Sequence, residues 1–130
     1  MDSRRSPRKT TCRSEPMNYE EQREQMFFIN YLQWRQFKSY NHSPNEGKRT
    51  PQEGNKLKRM GMSKGFPDLE ICVAKNGFHG LYLEFKSSKG KLSKEQQEWV
   101  QRLTEAGYKV AVVRSCSEAI DVFQDYMKGS

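Results

Sequence analysis

Acidic and basic side chains recur at spacings that could support metal-dependent hydrolysis of a phosphodiester. Glu84 and Lys86 are two residues apart on a predicted strand, so their side chains leave the same face of it. Asp68 begins the preceding predicted strand and can reach the same edge of the sheet. Glu21 lies on the inward face of the first predicted helix, so it can also point towards this edge. Carboxylate oxygens suit Mg²⁺, and a lysine beside them can orient the attacking water.

Structural explanations compete with the catalytic one. The acidic and basic residues of the predicted strands could begin a strand or form an exposed ladder pair. Glu21 lies three residues after Asn18, which is the spacing of a helix capping box, and Glu20 is a neighbouring alternative for the inward-facing role. Ser93 and Gln96 have the same spacing at the start of a later predicted helix. Glu21 and Gln96 are therefore candidates both for catalysis and for helix capping.

The elements that must position these side chains follow from hydrophobic periodicity and from capping and turn residues. Glu21, Gln25, Phe28 and Leu32 share one face of the first predicted helix, which Asn18 can cap. We predict helices over 18–38, 94–105 and 117–127, and strands over 37–43, 68–74, 81–87 and 108–114.

A hairpin and a crossover unit determine the expected topology. Asn76-Gly77 is a strong hairpin signal, so the strands on either side of it should be antiparallel. The strand–helix–strand segment over 81–114 should place its two strands parallel. The apolar run over 108–114 favours a central strand. The sequence therefore predicts an α/β fold, a small mixed β-sheet flanked by α-helices.

Composition favours one small basic domain. The chain has 130 residues, a formal net charge of +7 and a mean hydropathy of -1.02, and such a domain suggests a polyanionic partner, usually nucleic acid. No apolar run could span a bilayer and no apolar signal region follows Met1, so we expect a cytoplasmic protein. Cys12, Cys72 and Cys116 match neither a disulfide framework nor a zinc site.

Basic residues are concentrated close to the predicted site. Residues 1–16 are predicted to form a disordered basic arm, and residues 44–65 a long loop with one helical turn near Leu57–Met60. This loop leads directly into Asp68, so we interpret it as a flap that contacts phosphates, with a solvated mobile loop as the alternative. The candidate DNA-binding residues are Lys48, Arg49, Lys56, Lys58, Arg59, Lys64, Lys89 and Lys91.

Three motifs give the sequence a resemblance to a known nuclease family. They are Gly65-Phe66-Pro67-Asp68, Glu84-Phe85-Lys86, and Leu92-Ser93 followed by Gln96. With them the chain resembles the VRR-NUC (virus-type replication-repair nuclease) domain of the PD-(D/E)XK nuclease superfamily, in particular its small stand-alone phage and bacterial members. The resemblance covers about residues 19–127 and implies a restriction-endonuclease-like core within residues 17–130.

The resemblance implies how the central residues would act. Asp68 and Glu84 would hold Mg²⁺ or Mn²⁺, helped by the main-chain carbonyl of Phe85. Lys86 would position and activate the attacking water. No departure from the family pattern occurs at these acidic and lysine positions.

The resemblance also implies supporting residues and a substrate. Glu21 would complete the acidic cluster, through a second metal or a metal-bound water, and Gln96 would contact the water or the scissile phosphate. Together these implications predict a metal-dependent DNA endonuclease that acts on branched DNA as a homodimer, similar to four-way-junction resolvases. Ser88-Lys89-Gly90 has no phosphate-loop pattern, so we expect no nucleotide cofactor. The alternatives are a non-catalytic nucleic-acid-binding module on the same fold and a basic protein that binds an acidic protein partner.

Overall fold

The computed structural model describes residues 18–43 and 50–129. Within these residues the chain forms four helices and four strands. In chain order they are α1 (Tyr19–Trp34), β1 (Tyr40–His42), α2 (Pro51–Arg59), β2 (Leu69–Ile71), β3 (Leu81–Phe85), α3 (Lys94–Glu105), β4 (Lys109–Val113) and α4 (Cys116–Lys128). The predicted basic arm over 1–16 and the candidate DNA contacts Lys48 and Arg49 lie outside the described residues.

Helix α1 begins where the sequence predicts and ends earlier. The side chain of Asn18 accepts a hydrogen bond from the Glu21 N–H, which satisfies one of the free donors at the helix start. Gln25, Phe28 and Leu32 are buried, as the inward-facing stripe predicts. The helix ends at Trp34 rather than near residue 38, because Gln36 adopts a left-handed backbone conformation with φ of 62°.

The four strands form one mixed sheet in the order β1-β2-β3-β4. Strand β2 is antiparallel to both β1 and β3, and β4 is parallel to β3. Asn76 and Gly77 both have positive φ in the turn between β2 and β3, as their hairpin signal predicts. The predicted α/β class, with a mixed sheet flanked by helices, is confirmed.

The prediction that 108–114 forms a central strand is wrong. Strand β4 has β3 as its partner and ends the sheet that the described residues form. Its residues are only partly buried except for Val113. Helices α3 and α4 both pack against β4, so its apolar side chains are explained by helices on its faces rather than by a second neighbouring strand.

The segment predicted as a loop over 44–65 is helical for much of its described part. Helix α2 runs from Pro51, where the fixed φ of proline suits the first helical position, to Arg59. Thr50 and Glu53 form a reciprocal capping box, with Thr50 N–H to Glu53 Oε1 at 3.0 Å and Glu53 N–H to Thr50 Oγ1 at 3.1 Å. These local signals outweigh the glycines of the segment, which favour a loop.

The core lies between the sheet and the helices α1 and α4. Phe28 of α1 packs against Phe85 of β3 and Phe123 of α4, with ring centroids 6.1 Å and 6.0 Å away. All five residues of β3 are buried, as expected for an interior strand. No helix within residues 18–43 and 50–129 is long and apolar enough to cross a membrane.

Candidate active site

Asp68 and Glu84 lie opposite each other where the β2–β3 hairpin opens. Leu69 pairs with Leu83 in the antiparallel register, so Asp68 and Glu84 occupy the next positions along the two chains. Both are only 3% exposed. Oδ2 of Asp68 accepts a hydrogen bond of 2.8 Å from the Phe85 N–H, which ties the carboxylate to the backbone beside Glu84. Two carboxylates fixed side by side in this way can bind a cation between them.

His42 of β1 and Ser43, which follows β1, contact the main chain of Asp68. Its carbonyl oxygen accepts a 2.9 Å hydrogen bond from the Ser43 N–H and lies 3.0 Å from Nδ1 of His42. Nδ1 of His42 is also 3.0 Å from Nε2 of buried Gln25. A ring nitrogen either donates or accepts a proton, so His42 bonds the carbonyl in one tautomer and the Gln25 amide in the other. The histidine contact is not apparent in the sequence, because β1 is remote along the chain.

Gln96 supports Glu84 from helix α3. Its Nε2 donates a buried hydrogen bond of 2.9 Å to Oε2 of Glu84. The Oε1 of the same amide accepts a 2.8 Å bond from the Ser93 N–H, while Ser93 Oγ accepts from the Gln96 N–H at 3.1 Å. Gln96 therefore completes a capping box and also holds Glu84.

Gly65 allows the chain before Asp68 to approach α3 closely. Its φ is +88°, and a Cβ built on it would lie 2.7 Å from the carbonyl carbon of Glu95 and 2.8 Å from the Gln96 nitrogen. Any side chain here would clash with backbone and would also be strained at that φ. The glycine therefore keeps the segment leading to Asp68 in contact with the helix that supplies Gln96.

Glu21 contacts the backbone that immediately follows Lys86. Its Oε2 accepts a 3.1 Å hydrogen bond from the Ser87 N–H, and the preceding residue, Glu20, accepts one of 3.1 Å from the Ser88 N–H through its Oε2. Lys86 itself is half-buried, and its N–H continues the sheet by bonding the Val113 carbonyl at 2.9 Å. The two adjacent glutamates thus bring the start of α1 against the segment that carries the lysine.

Arg114 is a residue of this region that the sequence analysis misses. Its Nη1 donates to the carbonyl oxygens of Ser87 and Gly90 at 2.7 Å and 2.6 Å, and so fixes the turn after β3. Parallel pairing aligns Phe85 with Val113, so the position after β4 falls beside Lys86. A parallel register assumed from the sequence would therefore have indicated this arginine.

The donor set fits a hard divalent cation. Within residues 18–43 and 50–129 no three His, Cys, Asp or Glu side chains come close enough to hold a metal ion together. The structure therefore does not gather Glu21 into one ligand group with Asp68 and Glu84, although all three border Lys86 or its strand. Two carboxylates and the carbonyl of Phe85 are all oxygen donors, which suits Mg²⁺ because it retains several waters. A carboxylate can accept several bonds at once, so the hydrogen bonds to Asp68 and Glu84 are compatible with coordination.

Tyr82 is a buried aromatic residue beside Glu84. It lies on the same face of β3 as Glu84, with its ring 5.3 Å from both Phe66 and Tyr108. Burial, followed by the negative charge of Glu70, raises the pKa of Tyr82 to about 12. The phenol is therefore neutral at physiological pH and does not add a charge beside the carboxylates.

The described candidate DNA contacts are exposed. Three lie on α2 and one follows it, and the other two lie in the segment between β3 and α3. They are Lys56, Lys58, Arg59, Lys64, Lys89 and Lys91. Exposed cations near the acidic pair can bind phosphates of a strand that enters the site.

Comparisons with known proteins agree with this geometry. The family model of the VRR-NUC domain matches residues 14–117. A solved structure named VRR_NUC domain protein is similar to this chain, with a TM-score of 0.75 and 30% sequence identity, and the alignment covers 87% of this chain and 92% of that one. No curated protein matches the sequence closely enough to count as a relative.

Proposed function

Because this chain belongs to the VRR-NUC family of nucleases, we propose that it is a Mg²⁺- or Mn²⁺-dependent DNA endonuclease that cuts branched DNA. The observation that carries the proposal is the pair of buried carboxylates, Asp68 and Glu84, at the open end of the β2–β3 hairpin, with Lys86 directly after β3. Phosphodiester hydrolysis needs charge neutralisation at phosphate and an activated water, and these residue types supply both.

Each residue has a distinct task in the proposed mechanism. Asp68, Glu84 and the Phe85 carbonyl would hold the metal, which when bound would lower the pKa of a water and offset charge on the phosphate. The Lys86 ammonium would orient the attacking water and stabilise the additional negative charge of the transition state. Gln96 keeps the Glu84 carboxylate in one orientation through the 2.9 Å hydrogen bond. Glu21 of α1 fixes the backbone after Lys86 by accepting a hydrogen bond from the Ser87 N–H.

Substrate DNA would be held by the exposed cations of α2 and of the segment after β3. Lys56, Lys58 and Arg59 form one group on α2, while Lys89 lies in the turn that Arg114 fixes and Lys91 follows that turn. Phosphate contacts of this kind give affinity without reading the base sequence. Selection of branched DNA over linear duplex would then depend on the shape of the substrate, in the manner of a four-way-junction resolvase.

Helix α1 supports the proposal of a homodimer. Its outward side carries four large exposed side chains, Tyr19, Met26, Phe27 and Trp34, which are 76%, 64%, 50% and 80% exposed. We call them the outer α1 stripe. The midpoint of the stripe falls between Met26 and Phe27, so a two-fold axis there would pair Tyr19 with Trp34 and Met26 with Phe27 of a second copy. Such an isologous contact would cover apolar surface on both copies and present two active sites to one junction.

We propose a cytoplasmic location on the state of the cysteines, and the resemblance to small phage and bacterial proteins extends this proposal to a bacterium or a phage-infected cell. Cys72 and Cys116 are free thiols, which is the usual state of cysteines in a reducing compartment.

A cleavage assay tests the proposed function. Labelled four-way junction, flap and linear duplex are incubated with wild-type protein and Mg²⁺, Mn²⁺ or EDTA, beside Asp68→Asn and Lys86→Ala. We expect cutting that requires metal, prefers a branched substrate and is lost in both variants. Lys86→Ala should retain DNA binding, since it removes one of many cations and a contact made mainly in the transition state. Binding without cutting under any metal would instead support a non-catalytic DNA-binding module.

A further inference from the structure

A cavity of about 600 Å³ opens beside the candidate active site. Its apolar walls come from Leu57 of helix α2, from Met60 and Met62 just after that helix, and from Phe66 and Trp99. None of the described residues that line the cavity is acidic, lysine or arginine. A cavity of this size and lining is typical of a site for a small organic group that is largely apolar and carries a few polar atoms.

Three residues that line the cavity lie close to Asp68 and Glu84 or to a residue that bonds them. His42 lines the cavity and lies 3.0 Å from the carbonyl oxygen of Asp68. Phe66 also lines it and precedes Asp68 by two residues. Trp99 lies one turn after Gln96 on the same side of α3, and Gln96 bonds Glu84. The cavity is therefore adjacent to the position of the scissile phosphate in the proposed function.

The aromatic wall is held in place by its own contacts. The ring of Phe66 meets Trp99 edge to face at 4.9 Å and 80°, and meets Tyr82 at 5.3 Å and 85°. The guanidinium of Arg102 lies over the Trp99 ring, 5.1 Å from its centroid. Rings that are fixed in this way can stack on a ligand with little loss of conformational freedom.

Charge around the cavity complements a nucleic acid. Helix α2 presents Leu57 to the cavity and carries exposed Lys56, Lys58 and Arg59 on its remaining surface, and exposed Lys64 follows. An uncharged aromatic site next to a cluster of cations matches the two parts of a nucleotide, because the base is neutral and flat while its phosphate is anionic.

We propose that this cavity receives an unpaired nucleobase of the DNA strand that is cut, adjacent to the scissile phosphate. This inference rests on the proposed function, and it explains why the enzyme would select branched DNA. Placing a base in the cavity requires it to leave the stack, which costs least where the base is already unpaired, as at a flap or junction. Linear duplex would have to lose a base pair first, so it would be cut more slowly.

Position-specific removal of a base tests the proposal directly. The protein is Lys86→Ala combined with Trp34→Phe, so that it does not cut and Trp99 is its one remaining tryptophan. A branched DNA is prepared in versions that each lack one base near the cleavage position. We expect intact branched DNA to quench the fluorescence of Trp99 when a base stacks on its ring. Removal of the base at one position should abolish this quenching and weaken binding by about tenfold, the size of one base–aromatic stack. Equal binding by every abasic version, or equal quenching by intact linear duplex, would overturn the proposal.

A cavity variant gives a second test in the cutting enzyme. Met60→Glu places a charge at the mouth of the cavity, since Met60 is 71% exposed. The matched control is Gln52→Glu, which changes the net charge by the same amount. Gln52 is an exposed residue of α2 that does not line the cavity. We expect Met60→Glu to lose its preference for branched DNA and Gln52→Glu to keep it. If wild-type protein cuts DNA and both variants keep the preference for branched DNA, the cavity proposal fails while the proposed function stands. If wild-type protein cuts no DNA with metal present, the proposed function fails. The abasic series then still tests whether the cavity binds a base.

Discussion

The side-chain amide of Gln96 bonds two partners because its oxygen and its nitrogen point towards different elements. The oxygen caps α3 by accepting from Ser93, and the nitrogen donates to Glu84 on β3. The sequence pattern shows only the first role, since Ser93 is three residues away while Glu84 is twelve. Capping and support of the site are therefore compatible at this residue, although the spacing alone leaves them as alternatives.

The first prediction separates helix capping by Gln96 from its support of Glu84, by comparing two variants. Ser93→Ala removes only the capping hydroxyl and should cost about 1 kcal/mol of unfolding free energy. Gln96→Leu should cost a similar amount and should also lower cleavage by about 10- to 100-fold while raising the Mg²⁺ concentration needed for half-maximal rate, because Glu84 loses its orienting partner.

Urea unfolding and metal titration of the two variants measure the difference between capping and support. If Gln96→Leu cuts like Ser93→Ala at every Mg²⁺ concentration, Gln96 acts as a helix cap and nothing more.

Helix α4 begins against a side chain of α1, and this contact ties distant elements together. Oε1 of Glu24 accepts a 2.8 Å hydrogen bond from the N–H of Cys116, the first residue of α4. That bond, supported by neighbouring Arg23, holds the pKa of the Glu24 carboxyl below its ordinary value of 4.5 against the opposing effect of burial. A carboxylate at a helix N-terminus is favoured both by the free N–H groups and by the helix dipole.

The second prediction concerns the pH dependence of this contact. Glu24→Gln should lower the free energy of unfolding by about 1 kcal/mol at pH 7, because the amide keeps an acceptor oxygen but loses the charge. Since the folded state lowers the pKa of Glu24, the difference between wild type and variant should be constant above about pH 5 and shrink as the pH falls through 4.5 and below. Urea unfolding of both proteins at pH 7, 5 and 3.5 measures it. A difference that grows in acid would contradict the assignment.

The secondary structure shows which elements the sequence specifies locally. The bounds of α3 agree with the prediction over 94–105, because Ser93 and Gly107 mark its two ends. The place of β4 in the sheet could not be predicted in this way, since an apolar strand covered by helices on its faces resembles one between two strands. Among site residues, Asp68 and Glu84 follow from hairpin register, whereas the contacts of His42 and Arg114 depend on pairing between strands remote in sequence.

At the scale of the whole molecule, the outer α1 stripe and the net charge act in opposite directions. Two copies that each carry a formal net charge of +7 repel each other. The four side chains of the stripe are uncharged, and Arg23, an exposed residue of the same helix, is paired with Glu24 at 3.1 Å. A second copy can therefore approach along α1 with less repulsion than along the basic surface of α2.

The third prediction is that the stripe determines the oligomeric state. Phe27→Glu with Trp34→Glu should convert a dimer to a monomer, because the two-fold pairing would bury charges without partners. Sedimentation velocity over a range of protein concentrations measures the change, and Met60→Glu, at another exposed methionine, serves as the control. A wild-type protein that is monomeric throughout, or a double variant that still dimerises, would contradict the pairing.

The contacts of α1 also bear on when the enzyme becomes active during synthesis. Asp68 and Glu84 lie in one hairpin that can form early, but the backbone after Lys86 is fixed by Glu21 and α1 is docked on α4, which is translated last among the described elements. A chain still emerging from the ribosome would hold its acidic pair without the helix contacts that fix the lysine segment. Folding order would therefore delay nuclease activity until α4 has emerged from the ribosome and α1 can dock on it.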